Sequence, residues 1–122
     1  MQGFRRLNVW EKAHELTLNV YKVTARFPKE ELYALTSQLK RAASSVAANI
    51  AEGCGRGSDA DFARFLLIAM GSASELEYHL LLARDLKFLS ETDYQGLDTR
   101  TIEVKRMLAS LIKKTRGSAA SG

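Results

Sequence analysis

Two histidines, one cysteine and a short glycine run are the residues of this 122-residue chain that could carry chemistry. Glu11 and His14 stand three apart, which puts a carboxylate and an imidazole on one helix face. Di-iron bundles use that pair on two helices, and here it occurs once, so it reads as a solvated face. His79 falls on an apolar stripe and is expected as a packed, hydrogen-bonded core or interface histidine. Glu75 and Glu77, two positions apart, point to different sides of a helix and cannot act as a pair. Cys54 lies between glycines and close to Arg56, whose charge would favour a thiolate. With no base placed beside it, it reads as an ordinary loop thiol. The expectation is therefore no catalytic residue, no metal site and no cofactor: the chain is not an enzyme.

Gly53-x-Gly55-x-Gly57 invites comparison with phosphate-binding loops. Those loops follow a strand, and the P-loop carries a lysine; a helix precedes this run and the lysine is missing. The plain reading is a helix stop at Gly53 followed by a free turn. A narrower one lets Arg56 and the open amides at the next helix start hold a backbone phosphate. Asn49 continues an apolar stripe and is expected to face inward, fixing register through hydrogen bonds. Glu52, one turn on, would tie down a helix end or an arginine.

Cations cluster at Lys40-Arg41, at Lys105-Arg106 and at Lys113-Lys114 with Arg116. The charge is uneven. Residues 1–57 hold nine basic and five acidic residues, 58–98 three and eight, and 99–122 six and one. Those segments are thus +4, −5 and +5, within a formal net charge of +4. Clusters of this kind are either solvated helix faces or phosphate contacts, and few aromatic residues are left over for base stacking. Nucleic acid, if bound, would be held through phosphates and shape.

Helices must position these residues. Val9, Ala13, Leu16, Val20, Val23 and Phe27 recur at alternating steps of four and three, one helical stripe that Pro28 stops. Leu32, Leu35, Leu39, Ala42 and Val46, with Ala43, Ala47 and Ile50 alongside, form a second. Ser58 caps a third, with Asp59 and Asp61 in its first turn and a stripe of Phe62, Phe65, Ala69, Ser72, Leu76, His79, Ala83 and Leu86. Ser90 caps a fourth, with Tyr94, Leu97, Thr101, Val104, Leu108 and Leu111 inward. No alternating pattern suggests strands. Short connections make this an all-α, antiparallel up-down-up-down four-helix bundle over residues 1–116, with 117–122 a disordered tail.

Two features exceed what a lone bundle needs. Phe65-Leu66-Leu67-Ile68-Ala69-Met70 is apolar on every side of its helix, as is Leu80-Leu81-Leu82, so a further surface should cover it. Small residues, including those around Ser44-Ser45 and Gly71-Ser72, let helix axes approach closely. Both predict a homo-oligomer. The length suits one domain. Lone Cys54 forms no internal disulfide, no secretory signal is visible, and the longest unbroken apolar run is six residues, so a soluble cytoplasmic protein is expected.

Several segments carry a resemblance: Leu7-Asn-Val-Trp10-Glu-Lys-Ala13, Phe27-Pro28-Lys-Glu30, and Leu35-Thr-Ser-Gln38-Leu-Lys-Arg41-Ala42-Ala43-Ser44. So do Asn49-Ile50-Ala51-Glu52-Gly53 with Gly55-Arg56, Phe62-x-x-Phe65-Leu66, Ala69-x-Gly71-Ser72 and Glu75-Leu76. Together these resemble the four-helix-bundle proteins encoded by intervening sequences in bacterial 23S ribosomal RNA genes, in order over about residues 4–115. Cys54 departs from that pattern, which has a bulkier or aromatic residue there. The resemblance implies a toroidal homopentamer without established catalysis. It extends to the accessory variability proteins of diversity-generating retroelements, which engage nucleic acid and a reverse transcriptase. It makes Arg41 and Arg56 first candidates for RNA contact, beside Lys40, Lys105, Arg106, Lys113 and Lys114. Asn49, Glu52, Gly53, Phe65, Leu66 and Gly71 are assigned to structure or assembly. The functional expectation is an oligomeric, non-catalytic nucleic-acid-binding protein; the alternative is a scaffold docking a partner such as a reverse transcriptase or other polymerase.

Overall fold

The computed structural model of the chain describes residues 3–121, with side chains as far as residue 118. Four helices account for most of it: α1 (Asn8–Thr24), α2 (Leu35–Cys54), α3 (Asp59–Asp85) and α4 (Glu91–Ser121). Single 3-10 turns at Phe4–Arg6 and Lys29–Glu31 precede α1 and α2, and no strand occurs among the described residues. Helical geometry continues past Arg116, where the sequence reading ended the bundle; the last residue of the expected tail lies outside the described residues.

The first helix follows its stripe. Val9, Ala13, Leu16 and Val20 are buried, joined by Thr17 and Thr24. Those hydroxyls lose no hydrogen bond on burial: Thr17 donates within reach of Ala13 O (2.8 Å) and Ala43 O on α2 (3.1 Å), and Thr24 donates to Val20 O (2.8 Å). The second helix starts later than its stripe suggested, because Leu32 lies in the connecting turn and is 47% exposed. Its end also differs from expectation. Gly53 does not stop α2; it is a buried helical residue, and Gly55 is the C-cap. The left-handed glycine of the connection is Gly57, at φ 84°. What requires glycine at position 53 is contact: an added Cβ would lie 2.9 Å from Phe62 Cδ1 and 2.9 Å from Phe65 Cβ, so α2 and α3 touch backbone to side chain there.

Ser58 and Ser90 cap as expected, accepting from the amides of Asp61 (3.2 Å) and Asp93 (3.1 Å). The end of α3 was not legible. It closes on Lys87 at φ 66°, with Phe88 N donating to Ala83 O (3.0 Å) and Lys87 N to Arg84 O (2.9 Å). That is the six-to-one and five-to-two pairing of a helix C-terminus that ordinarily carries glycine at its left-handed position.

The stripe of α3 slips by one residue halfway. Ala73 and Leu80 are fully buried, whereas Ser72 and His79 sit at the edge and Leu86 is 50% exposed. A helix apolar all round offers two candidate rows, and contact with both α2 and α4 selects the row between them. His79 consequently leaves Nδ1 buried without a hydrogen-bond partner among the described residues. On α4 the burial runs through Leu108, Ile112 and Thr115, so Ile112 replaces the predicted Leu111.

Each helix lies on the next in sequence, and α4 closes against α1. At every seam the paired residues run in opposite order along the chain. Lys12 meets Glu103 while Arg26 meets Asp93; Thr17 meets Ala43 while Tyr21 meets Lys40; Ser45 meets Ser72 while Gly53 meets Phe62; Lys105 meets Glu77 while Arg84 meets Tyr94. Leu16, Leu39, Leu66, Leu76, Leu80 and Leu108 fill the interior with Ile50, Val20, Val46 and Val104. Each such side chain contributes roughly 1.5–3 kcal/mol relative to leaving it in water.

By length and composition alone, α3 could also cross a membrane, and only 33% of its most apolar window lies inside the bundle. Its outer side shows Leu67 and Ile68 (each 42% exposed) and Tyr78 (57%). Gly71 sits among them with nothing within 4 Å of an added Cβ.

Candidate nucleic-acid interface

The candidate cations fall into three surroundings. On α2, Lys40 is half-buried with Nζ 4.9 Å above the Tyr21 ring, while Arg41 beside it is exposed and makes no ion pair among the described residues. At the α2–α3 turn, Arg56 pairs with Glu52 one helical turn before it (3.4 Å). On α4, Lys105 is held by Glu77 at 2.7 Å and would have to leave that carboxylate to meet a phosphate. Arg106, Lys113 and Lys114 are exposed and make no ion pair among the described residues. Thirteen residues of α2 follow Arg41 before the helix ends at Cys54, about 20 Å of rise, and Arg56 lies in the turn beyond. Within one chain the fold therefore does not bring the two first candidates together.

It brings Arg56 to a residue that the sequence reading passed over. Arg64, in the second turn of α3, places its guanidinium 4.6 Å from the Phe65 ring centroid, and Arg56 places its own at 4.9 Å. Phe65 is thereby buried under two arginines, each also held by a carboxylate, Glu52 for Arg56 and Asp61 for Arg64 (3.5 Å). The positions follow from the fold: Gly53 lets Phe62 and Phe65 press onto α2, which brings Phe65 beside the turn that carries Arg56. The sequence hint for Arg64 was its place next to Phe65, three residues after Asp61. Exposed pairs of this kind add at most about 1 kcal/mol each, so an incoming phosphate can displace the carboxylates at small cost.

The other structural candidates resolve locally. Asn49 is half-buried and turns back to its own helix, donating to Ser45 O (2.8 Å) and within 3.0 Å of Ser45 Oγ. Ser45 in turn meets Ser72 on α3 at 2.9 Å, so Asn49 supports that seam indirectly. Leu66 is wholly inside the bundle. Glu52 serves Arg56, as expected of a residue that ties down an arginine.

Between the start of α1 and the C-terminal half of α4 lies a groove of about 440 Å³, with Arg106 and Lys114 among its lining residues. A second hollow of about 230 Å³ continues from Lys114 to Cys54 and Phe62. Burial pushes the Cys54 thiol up, away from the thiolate that a nucleophile needs. Among the described residues, no three His, Cys, Asp or Glu side chains gather where they could hold a metal ion. On the α3–α4 seam, burial and then Glu77 raise the Asp98 carboxyl, opposed by Arg84 and Lys105.

No curated protein matches the chain in sequence. A crystal structure of a protein of unknown function from the S23 ribosomal protein family, from Bacteroides thetaiotaomicron VPI-5482, superimposes with a TM-score of 0.78 at 29% identity. The match covers 86% of this chain and 98% of that one. The model of the 23S rRNA-intervening sequence protein family matches residues 5–110. With the resembling motifs, the four helices and that match over most of its length, the chain belongs to the 23S rRNA-intervening sequence protein family.

Proposed function

We propose that the chain is a non-catalytic, cytoplasmic RNA-binding protein that works as a homo-oligomer. The observation that carries the RNA reading is the run of exposed cations without carboxylates, Arg106, Lys113 and Lys114, on a segment of net +5. Arg56 and Arg64 around Phe65, and Arg41, would extend it. Phosphate contact needs cations free to exchange counterions, which these are.

The assembly reading rests on the apolar side of α3 and on Leu18 (57% exposed) and Tyr21 (47%) of α1. The opposite residue order at the seams supports an up-down-up-down bundle, in which those two faces lie on different sides. Unlike faces joined head to tail close into a ring where the rotation between copies closes, and the family resemblance supplies five as the subunit number.

The experiment is binding of the purified protein to structured RNA and duplex DNA across roughly 50–300 mM salt, with light scattering on the same samples. A five-subunit mass and an affinity falling steeply with salt are expected, with Arg106→Ala plus Lys114→Ala lowering the slope. Salt-independent affinity, or unchanged binding by that variant and by Arg41→Ala plus Arg56→Ala, refutes the phosphate surface. An oligomer that binds neither nucleic acid moves the function to protein docking.

A further inference from the structure

The bundle leaves one flank of α4 unfinished. Helix α1 has 17 residues and α4 has 31. The ion pairs Lys12–Glu103 and Arg26–Asp93 set the register between them and place Asn8 level with about Met107. The roughly 14 residues of α4 beyond that point, about 20 Å, have no helix on the α1 side. The turn at Phe4–Arg6 does not extend α1 over them, because it folds back onto α1 and α2.

The groove described above is the result. Leu7, Val9, Met107 and Leu111 make its floor, and Arg106 and Lys114 its rim. Leu7, Met107 and Leu111 are partly buried side chains packed on the core, so the floor is firm. The hollow beyond Lys114 prolongs the trench toward Thr115 and Phe62.

We propose that this trench docks an acidic amphipathic helix of about three turns, carried by a partner protein. Three properties select that occupant. Elsewhere in the bundle the flank of one helix is covered by another helix, and the vacancy has the length of three to four turns. The floor is apolar, and Met107 and Leu111 present one row at i, i+4, the pattern that receives apolar anchors from a helix. The rim is cationic and makes no ion pair among the described residues, so the flanks of the helix must be acidic. Asp59, which lines the far hollow, repels such acids and sets them over Arg106 and Lys114. Phosphates would use only the cations of the rim and leave the four aliphatic floor residues without a role, and the groove lining holds no ring for base stacking. The inference goes beyond the RNA reading and does not depend on it.

The test uses the full chain and a fluorescein-labelled 14-residue peptide with leucines at i, i+3, i+7 and glutamates on both flanks, read by anisotropy. A second peptide has lysine at every glutamate. Ser110 is exposed and lines the groove, so Ser110→Trp fills the trench without entering the core. Arg106→Glu with Lys114→Glu is the independent variant, since both residues are on the surface. The glutamate peptide is expected to bind, the lysine peptide at least tenfold more weakly, and each variant to lose at least tenfold in affinity for the former. Equal binding of the two peptides, unchanged affinity in both variants, or no binding of the glutamate peptide overturns the proposal. So does a change in oligomer mass in Ser110→Trp without peptide binding, which assigns the trench to a second copy. RNA binding lost in Ser110→Trp without peptide binding assigns it to nucleic acid instead. Ser110→Trp keeps both rim cations, so it must lose the peptide while RNA binding stays intact, which separates this proposal's failure from that of the phosphate surface.

Discussion

Gly53→Ala should destabilise the chain although it improves the intrinsic helix propensity of α2. Alanine in a helix interior gains about 1 kcal/mol over glycine. Against that, the new methyl would stand 2.9 Å from Phe65 Cβ and 2.9 Å from Phe62 Cδ1. A ring edge can swing aside; a Cβ is fixed to its backbone, so α3 itself must retreat and loosen the contact that holds Phe65 beside Arg56. Overpacking of this kind costs about 1–3 kcal/mol, and the fixed position of Phe65 Cβ puts it at the upper end. The net loss is then about 2 kcal/mol, or roughly 6–12 °C in Tm for a chain of this size. Gly96→Ala is the internal control. Gly96 is also helical and has nothing within 4 Å of an added Cβ, so the same substitution should gain about 0.5–1 kcal/mol. Urea unfolding followed by circular dichroism at several protein concentrations, to separate folding from assembly, gives both values. If Gly53→Ala matches or exceeds wild-type stability while Gly96→Ala behaves as stated, the close approach of α2 and α3 is refuted.

Lys87→Gly should gain about 1 kcal/mol, since a residue with a side chain at φ 66° bears a strain that glycine lacks; an unchanged midpoint in urea contradicts the closing geometry of α3. Asp98 has its folded-state pKa raised by burial and Glu77, so its protonated form is favoured by folding. Its contribution is present at acid pH and is lost as pH rises through that raised value. Asp98→Asn should therefore raise Tm at pH 7, with the gain shrinking below about pH 4; a pH-independent gain or a loss at pH 7 rejects this. Cys54, half-buried with its pKa raised, should be alkylated by iodoacetamide at pH 8 more slowly than glutathione, and at an ordinary rate once the chain is unfolded in urea. Equal rates in folded protein and glutathione would show that the thiol is open.

Spacing alone determined the four helices, the caps at Ser58 and Ser90, and the inward faces of α1 and of most of α4, because those signals are local: a period of 3.6 and a hydroxyl two or three residues before an open amide. The family was likewise legible from ordered motifs. Tertiary contact decided the rest. Two inward rows were open on α3, and only the positions of α2 and α4 chose Ala73 and Leu80 over Ser72 and His79. Gly53 looked like a stop, and its actual constraint, the Phe62 and Phe65 side chains of another helix, is separated from it by a turn. The pairing of Arg56 and Arg64 over Phe65 spans that same turn. The trench along α4 exists because two helices differ in length at a register set by ion pairs between residues 67 and 91 positions apart. Local patterns specify which residues want burial; only the packed bundle specifies what covers them.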